Sequence, residues 1–192
     1  MMEKTITLIR HGKTLGNYEK RYIGITDEPL SLEGEKEIIS RHYPKCDIVF
    51  SSPLRRCIRT AELIYPEYKP VIIAELRETN FGIFEGKNYI ELADNKEYID
   101  WIESGGTAPF PNGESRDEAN SRTMIGFEKL IKLSGDCKNI SVVCHGGTIM
   151  AILSSLFDGD YYSYHVENGE GYTFDLSSNG LYHGLCTRSF IR

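Results

Sequence analysis

Short apolar runs alternate with amphipathic segments along most of the chain. Runs rich in β-branched residues predict buried strands at 5–9, 47–50, 71–74 and 140–144, and a terminal hairpin at 171–176 and 181–190. Apolar faces at helical spacing predict helices at 31–43, 52–64, 114–133 and 148–157. Ser31 and Ser52 are the predicted N-caps of the first two helices. Strands that alternate with helices predict an α/β sandwich with a mainly parallel sheet.

The stretch from 81 to 120 departs from this alternation. It is rich in glycine and proline, with short helix-like pieces at 89–93 and 97–102. Binding surfaces are often built from such segments on a regular scaffold. We interpret it as a small lid inserted into a single domain that spans 1–192.

Two histidines occupy equivalent places in the pattern. His11 and His145 each end an apolar strand, and a glycine follows each of them. The carboxyl ends of strands in an open α/β sheet meet at one edge, where ligands collect. A hydrogen-bonded structural histidine is the alternative for either residue alone, at about even odds. Because both follow strands, and Arg10 stands beside one of them, the pattern favours a functional site.

Charge determines where an anion can bind. The chain has 192 residues, with 22 Lys and Arg against 28 Asp and Glu, and a formal net charge of −6. Nucleic-acid binding requires a broad basic surface, and no apolar run approaches the ~20 residues of a membrane helix. We therefore expect neither a nucleic acid nor a membrane as partner, and any cations that hold an anionic substrate must be local. The oligomeric state stays open.

The cysteines and the N-terminal segment bear on location. The five cysteines are odd in number, scattered, and without a CxxC pair. The N-terminal residues lead directly into a predicted strand, without the apolar region of a secretory signal. We expect reduced thiols in a cytoplasmic protein.

Arginines and one glutamate are the remaining candidates for chemistry. Arg10 is placed where its guanidinium can hold two phosphate oxygens. Arg56 and Arg59 are three residues apart on a predicted helix and share a face, whereas Arg55 points differently. We expect at least one of these three to be an ordinary surface arginine. Glu78 can protonate a leaving alkoxide, although a surface glutamate is the more usual reading of its position.

Four segments, in order, resemble the signatures of the histidine phosphatase superfamily, which has the phosphoglycerate-mutase-like fold. They are 10–12 with Thr14 and Asn17, then 52–61, 76–86 and 142–147. The resemblance covers nearly the whole chain. It implies a three-layer α/β/α sandwich and a phosphatase mechanism that passes through a phosphohistidine.

The resemblance also implies the role of each matching residue. His11 is the nucleophile, and it attacks from an unprotonated nitrogen. Arg10, Arg56 and His145 hold the phosphoryl oxygens. Glu78 protonates the leaving group and then activates the water that cleaves the phosphohistidine.

Further contacts follow from the same resemblance. Asn17 is expected to help hold the phosphoryl group, and the backbone at Ile23 and Gly24 to contact substrate. The family uses no metal or other cofactor, and the sequence has no histidine pair spaced as HxH or HxxxH. Two residues depart from the family pattern: Lys13, which adds charge beside the pocket, and Cys57, where a small alanine is common.

The lid favours hydrolysis over phosphoryl transfer. A mutase needs a larger lid with extra cations for the substrate carboxylate, and between 81 and 120 the cations are Lys87, Lys96 and Arg116. We predict a phosphatase that acts on small-molecule phosphate monoesters. Segments 81–86 and 111–115 are similar to the α-ribazole-phosphate phosphatase branch, which makes α-ribazole 5′-phosphate a candidate substrate.

Three other functions remain open. They are phosphoglycerate-mutase-type transfer, non-catalytic binding of phospho-ligands, and metal-dependent hydrolysis with His11 and His145 as ligands. Apolar walls for an organic leaving group are predicted from Tyr18, Tyr89, Trp101 and Phe110.

Overall fold

A six-stranded mixed sheet forms the centre of the protein in this computed structural model, which describes residues 3–188. Its strands are β1 (Lys4–Arg10), β2 (Ile48–Ser51), β3 (Val71–Ile72), β4 (Asn139–Cys144), β5 (Gly171–Leu176) and β6 (Tyr182–Arg188). They lie in the order β3-β2-β4-β1-β5-β6. The first four in that order are parallel, and β5 and β6 are antiparallel to their neighbours. The predicted sheet and terminal hairpin are therefore found, and the predicted strand end at 189–190 lies outside the described residues.

Six α-helices accompany the sheet within the described range. They are α1 (Leu15–Tyr18), α2 (Leu32–Ile39), α3 (Arg55–Ile64), α4 (Lys96–Glu103), α5 (Arg116–Leu133) and α6 (Gly146–Leu156). Three 3-10 turns also occur, at Ala74–Leu76, Gly82–Phe84 and Tyr161–Tyr164. Ser31 caps α2 as predicted, by accepting from the Gly34 N–H. Among residues 3–188, no helix has the length and apolarity needed to cross a membrane.

Alternating side chains of the central strands build two separate cores. Ile6 and Leu8 of β1, with Val142 of β4, pack in one cluster with apolar residues of α5 and α6. Ile9 and Val143 point to the opposite side and pack against residues of α3. Both faces of the sheet are thus covered by helices, which gives the predicted three-layer α/β/α sandwich.

The segment predicted as a lid has an aromatic core of its own. Phe84, Tyr98 and Trp101 are buried together there. The piece predicted at 97–102 is α4, but the piece predicted at 89–93 is a series of turns. The side-chain oxygen of Asn88 accepts from the N–H groups of Ile90 and Glu91, a local bond that competes with helix formation.

Candidate active site

Neighbouring parallel strands deliver the two histidines to the same place. Arg10 at the end of β1 and Cys144 at the end of β4 are register partners, so the residues that follow them lie side by side. The His11 N–H donates to the Cys144 carbonyl over 3.0 Å, and the rings of His11 and His145 are 5.2 Å apart between centroids. The structure therefore brings together two imidazoles that are far apart in the sequence.

The environment of His11 sets its tautomer and its charge. Its Nδ1 lies 2.7 Å from the Gly12 carbonyl oxygen. A carbonyl only accepts hydrogen bonds, so Nδ1 carries the proton and Nε2 keeps its lone pair. Burial lowers the pKa of His11 well below its usual value, and the nearby Arg56 and Arg10 lower it further. Near neutral pH the ring is therefore uncharged, and its Nε2 is unprotonated.

His145 is completely buried and is held by a serine. Its Nε2 lies 2.7 Å from Ser52 Oγ, and Cys57 Sγ lies 3.4 Å from the same nitrogen. Burial lowers the pKa of His145 well below its usual value, with Arg56 and His11 adding to the effect. Because Ser52 occupies Nε2, a phosphoryl contact by this ring would come from Nδ1.

The placement of Ser52 corrects the predicted start of α3. The helix begins at Arg55 after an N-cap residue, Leu54, whose side chain makes no capping hydrogen bond. Ser52 still follows the sheet, because its N–H donates to the Val143 carbonyl over 3.0 Å. Its hydroxyl lies 2.7 Å from His145 Nε2 and accepts only a long bond, 3.4 Å, from the N–H of Leu54.

The two predicted phosphate-binding arginines both lie near the histidines, but they differ in burial and in hydrogen-bond partners. Arg10 is half-buried, and its Nη1 donates to the Val166 carbonyl over 2.7 Å. Arg56 is fully buried, and its Nη1 and Nη2 donate to the carbonyls of Thr26 and Gly24 over 2.7 and 2.8 Å. In both, Nε is buried and has no hydrogen-bond partner in the described structure. These two N–H groups are donors that an anionic oxygen can use.

The other arginines of α3 lie at the surface. Arg59 is exposed and pairs with Glu35 over 2.7 Å, and Arg55 is also exposed. The expectation that at least one of the three is a surface arginine is confirmed. The predicted common face for Arg56 and Arg59 was wrong, because the boundary between buried and exposed positions of α3 falls between them.

Glu78 is fixed against the first turn of α6. It is buried, its Oε1 accepts from the Thr79 N–H over 2.8 Å, and its Oε2 accepts from the Gly147 N–H over 3.2 Å. The sequence left Glu78 open to a surface location, and the structure places it at the edge of the sheet that carries the histidines.

Glu114 positions the segment that carries Glu78, a role that the sequence did not assign to it. It receives hydrogen bonds from Arg77 and Arg122, each over 2.9 Å, and from the Asn80 N–H. Burial alone would raise the pKa of Glu114, but the hydrogen bonds from the two arginines outweigh burial and lower it to about 2. The carboxylate is therefore ionised across the ordinary pH range.

The predicted substrate contacts at Ile23 and Gly24 are occupied by other parts of the protein. Both carbonyls accept from Arg56 Nη2, and the Gly24 N–H donates to Glu85 over 3.2 Å. A side chain at Gly24 would collide with the Thr79 carbonyl, which explains the glycine. In the described contacts the two carbonyl oxygens hold the guanidinium of Arg56. Direct contact of this backbone with substrate stays a prediction.

An asparagine pair supports the loop after β1. Asn17 Oδ1 accepts from the Thr14 N–H over 3.1 Å and from Asn168 Nδ2 over 3.2 Å. Asn168 Nδ2 also donates to the carbonyl of His11 over 3.0 Å. The amide oxygen of Asn17 is thereby engaged, which leaves its NH2 group as the end that can donate to a ligand. Asn168 lies in no recognised motif, so the sequence did not indicate it.

A cavity of about 200 Å³ opens beside Glu78 and Gly147. Its walls are mainly aromatic and come from Tyr22, Phe81, Trp101, Phe110, Tyr161 and Tyr162. Of the four predicted wall residues, Trp101 and Phe110 are among these, whereas Tyr18 and Tyr89 are largely exposed and do not line this cavity.

The two departures from the family pattern have local explanations. Lys13 pairs with Glu37 over 3.1 Å and lies over the ring of Tyr18, so a carboxylate offsets its charge. Cys57 packs beside His145, and burial raises the pKa of its thiol to about 12. The thiol is therefore protonated and acts as a small packing residue.

A metal site would need more ligands than the two histidines. Within residues 3–188, no group of three or more His, Cys, Asp or Glu side chains is arranged to hold a metal ion. The alternative with His11 and His145 as metal ligands thus finds no third protein ligand in that range.

Comparisons with known proteins show which sequences this chain is similar to. The model of the histidine phosphatase superfamily, branch 1, matches residues 6–181. The uncharacterized phosphatase PhoE of Bacillus subtilis is 35% identical over 162 residues, which are 81% of this chain and 78% of that protein. A 2,3-bisphosphoglycerate-dependent phosphoglycerate mutase of Cytophaga hutchinsonii is 30% identical over 164 residues, 79% of this chain and 76% of that protein.

A solved structure shows the same fold. The α-ribazole phosphatase from Shigella flexneri matches with a TM-score of 0.84 and covers 98% of this chain and 96% of its own. The two sequences are 24% identical.

Proposed function

The chain belongs to the histidine phosphatase superfamily and is a phosphatase enzyme, and from this premise we propose that it hydrolyses phosphate monoesters of small organic molecules through a phosphohistidine on His11. One observation carries the proposal. His11 donates from Nδ1 to Gly12, so that its uncharged Nε2 is available beside the unpaired Nε groups of Arg10 and Arg56.

The proposed reaction has two displacements at phosphorus. His11 Nε2 attacks, the P–O bond to the alcohol breaks, and Glu78 gives its proton to the departing oxygen. A water molecule then attacks the phosphohistidine, the N–P bond breaks, and Glu78 takes the water's proton. Arg10, Arg56 and His145 stabilise the charge on the phosphoryl oxygens in both steps.

The walls of the cavity support an organic leaving group with an aromatic ring. The cavity adjoins Glu78, the proposed proton donor, and its aromatic walls suit a flat apolar group. Together with the similarity of segments 81–86 and 111–115, this supports α-ribazole 5′-phosphate as a candidate substrate. Five free cysteines, three of them buried, support the proposed cytoplasmic location.

Phosphoglycerate-mutase-type transfer is the second candidate, and the mutase of Cytophaga hutchinsonii is the observation in its favour. Of the three lid cations, Lys87 and Lys96 are exposed and only Arg116 lines the cavity. This arrangement supports hydrolysis, because transfer to a phosphoglycerate requires more positive charge around the acceptor.

The central test replaces the nucleophile. His11→Asn is expected to lower kcat/KM for p-nitrophenyl phosphate by at least about a thousandfold, because no comparable nucleophile remains. His42→Asn, a change at an exposed histidine, is the matched control and keeps wild-type turnover. Acid-labile phosphate trapped on His11 during turnover supports the intermediate. Normal turnover by His11→Asn, or label on another residue, contradicts it.

A substrate panel separates the candidates. α-Ribazole 5′-phosphate, 3-phosphoglycerate and p-nitrophenyl phosphate are compared by kcat/KM, with and without EDTA. Release of inorganic phosphate without EDTA sensitivity is expected. Conversion of 3-phosphoglycerate to its isomer without phosphate release indicates a mutase, EDTA inhibition indicates a metal hydrolase, and binding without turnover indicates a non-catalytic protein.

A further inference from the structure

Arg116, the first residue of α5, is held rigidly in the wall of the aromatic cavity. Its guanidinium carbon lies 4.9 Å from the ring centroid of Tyr161 and 5.1 Å from that of Tyr162. Its Nη2 donates to the Gly106 carbonyl over 2.8 Å and to the Tyr162 hydroxyl over 3.1 Å. Two ring contacts and two hydrogen bonds thus fix the guanidinium in the wall.

The charge of Arg116 is not neutralised by the protein. Within residues 3–188, no carboxylate forms an ion pair with it, whereas the nearby Arg77 and Arg122 both pair with Glu114 over 2.9 Å. Both of its described hydrogen bonds use Nη2, so Nε and Nη1 keep their donors. An unpaired, preoriented guanidinium in an apolar cavity is suited to bind a planar anion with two oxygens.

Tyr161 lies between this cation and the end of the cavity where Glu78 is found. Its hydroxyl donates to the Gly147 carbonyl over 3.2 Å, and Gly147 contacts Glu78. The face of the same ring contacts Arg116. Tyr161 therefore contacts both the cation and the glycine that holds Glu78, and a substrate ring laid beside Tyr161 would extend from Glu78 toward Arg116.

We propose that Arg116 binds a carboxylate on the organic part of the substrate, so that a phosphate monoester whose aromatic leaving group carries a carboxylate is preferred over esters without one, α-ribazole 5′-phosphate included. This inference rests on the proposed function, because it assumes that the phosphoryl group lies at His11. It adds a second anion site, at Arg116, to the phosphoryl site.

The test compares two substrates across variants. Phenyl phosphate and 4-carboxyphenyl phosphate differ in the carboxylate, and the ratio of their kcat/KM values is measured for each enzyme. The two leaving groups differ in acidity. This difference affects every enzyme variant equally, so it cancels when the ratio is compared between variants. Arg116→Met is expected to lower the ratio about tenfold, the effect of losing one charge-assisted hydrogen-bonding partner. Arg55→Met, at an exposed arginine outside this cavity, leaves the ratio unchanged. An unchanged ratio in Arg116→Met overturns the inference.

Two further measurements do not depend on the folding of that variant. Arg116→Gln keeps a donor for the Gly106 carbonyl and is expected to lower the ratio in the same way. The wild-type enzyme is expected to prefer 4-carboxyphenyl phosphate over the isosteric neutral amide, 4-carbamoylphenyl phosphate, by about tenfold. Equal or reversed preference overturns the carboxylate site alone, if phenyl phosphate is still hydrolysed in a His11-dependent manner. Loss of that hydrolysis overturns the proposed function instead.

Discussion

Ser52 controls the orientation of His145 through one buried hydrogen bond. Ser52 Oγ and His145 Nε2 are 2.7 Å apart, and both residues are fully buried. Ser52→Ala leaves this ring nitrogen with Cys57 Sγ, a weak partner at 3.4 Å, and loss of a buried hydrogen bond destabilises a protein by about 1 kcal/mol. We expect kcat/KM for p-nitrophenyl phosphate to fall about tenfold, because the ring loses its fixed orientation. Steady-state kinetics and urea denaturation measure the two effects.

The neighbouring serine is the matched control. Ser51 is also fully buried, but its hydroxyl donates to the Ser52 carbonyl over 2.9 Å. Ser51→Ala is therefore expected to lower the free energy of unfolding by about 1 kcal/mol while kcat/KM stays within about twofold of wild type. Equal losses of kcat/KM in the two variants would show that Ser52 acts through general stability and not through His145.

At the same scale, the sequence identifies the proposed reacting groups better than the residues that hold them. His11 and His145 could be found because each follows a β-branched run and precedes a glycine. Asn168 could not, because its bond to the His11 carbonyl joins residues 157 positions apart and no local pattern encodes it. The structural roles of Glu85 and Glu114 could not be assigned for the same reason: their partners include backbone N–H groups and arginines brought near only by the fold.

Among the elements, the first turn of α6 connects the second histidine to Glu78, the proposed proton donor. A Cβ atom added at Gly147 would lie 2.4 Å from Glu78 Oε1, so Gly147→Ala must displace that flexible carboxylate. We expect kcat/KM for an alkyl phosphate to fall by about tenfold to a hundredfold, part of the effect of a general acid. Turnover of p-nitrophenyl phosphate is expected to fall less, because its leaving group needs little protonation. Kinetics with both substrates test this difference.

The preceding glycine offers a control in the same helical turn. A Cβ atom at Gly146 would lie 3.5 Å from the Arg10 guanidinium, an ordinary contact distance. Gly146→Ala is expected to change the ratio between the two substrates by less than about twofold, since the 2.4 Å overlap with Glu78 is absent. Similar losses on both substrates in Gly147→Ala would argue that Glu78 is not the proton donor.

The interiors of elements could be predicted from the sequence, but several of their ends could not. β1 and β4 coincide closely with the predicted runs, because β-branched residues fill them. The predicted helix at 31–43 ends at Ile39, where the Ser40 hydroxyl donates to the Glu37 carbonyl. β3 is shorter than predicted, because the chain turns into a 3-10 turn at Ala74. The end of each of these two elements depends on a local hydrogen bond or turn. The pattern of apolar residues does not predict such local features.

At the scale of the whole molecule, topology creates the site. The order β3-β2-β4-β1 places the ends of β2, β4 and β1 next to one another, and so places Ser52, His145 and His11 together. Alternation of strands and helices predicts the layers but not this order, which depends on long-range pairing. The resemblance of four segments to a known family anticipated the arrangement that the apolar pattern left open.

The same topology buries two uncharged histidines, which links folding to pH. Burial, assisted by nearby arginines, lowers the pKa of both His11 and His145 in the folded protein. In the unfolded chain a histidine has a pKa of about 6.5. As pH falls below that value, the unfolded chain binds protons that the folded chain does not. The folded state therefore loses stability on acidification, by up to about 1.4 kcal/mol per pH unit for each histidine.

Removing one of these histidines should weaken the pH dependence of the free energy of unfolding. The free energy of unfolding of the wild type and of His11→Asn is measured by urea denaturation at about pH 7.5 and about pH 5.5. Carboxylates titrate in both proteins and cancel in the comparison. Over this interval the wild type is expected to lose about 1 kcal/mol more than the variant, because the variant lacks one group that takes up a proton on unfolding. If both proteins lose the same amount, His11 binds protons equally in the folded and unfolded states, and its pKa is then not lowered by burial and the nearby arginines.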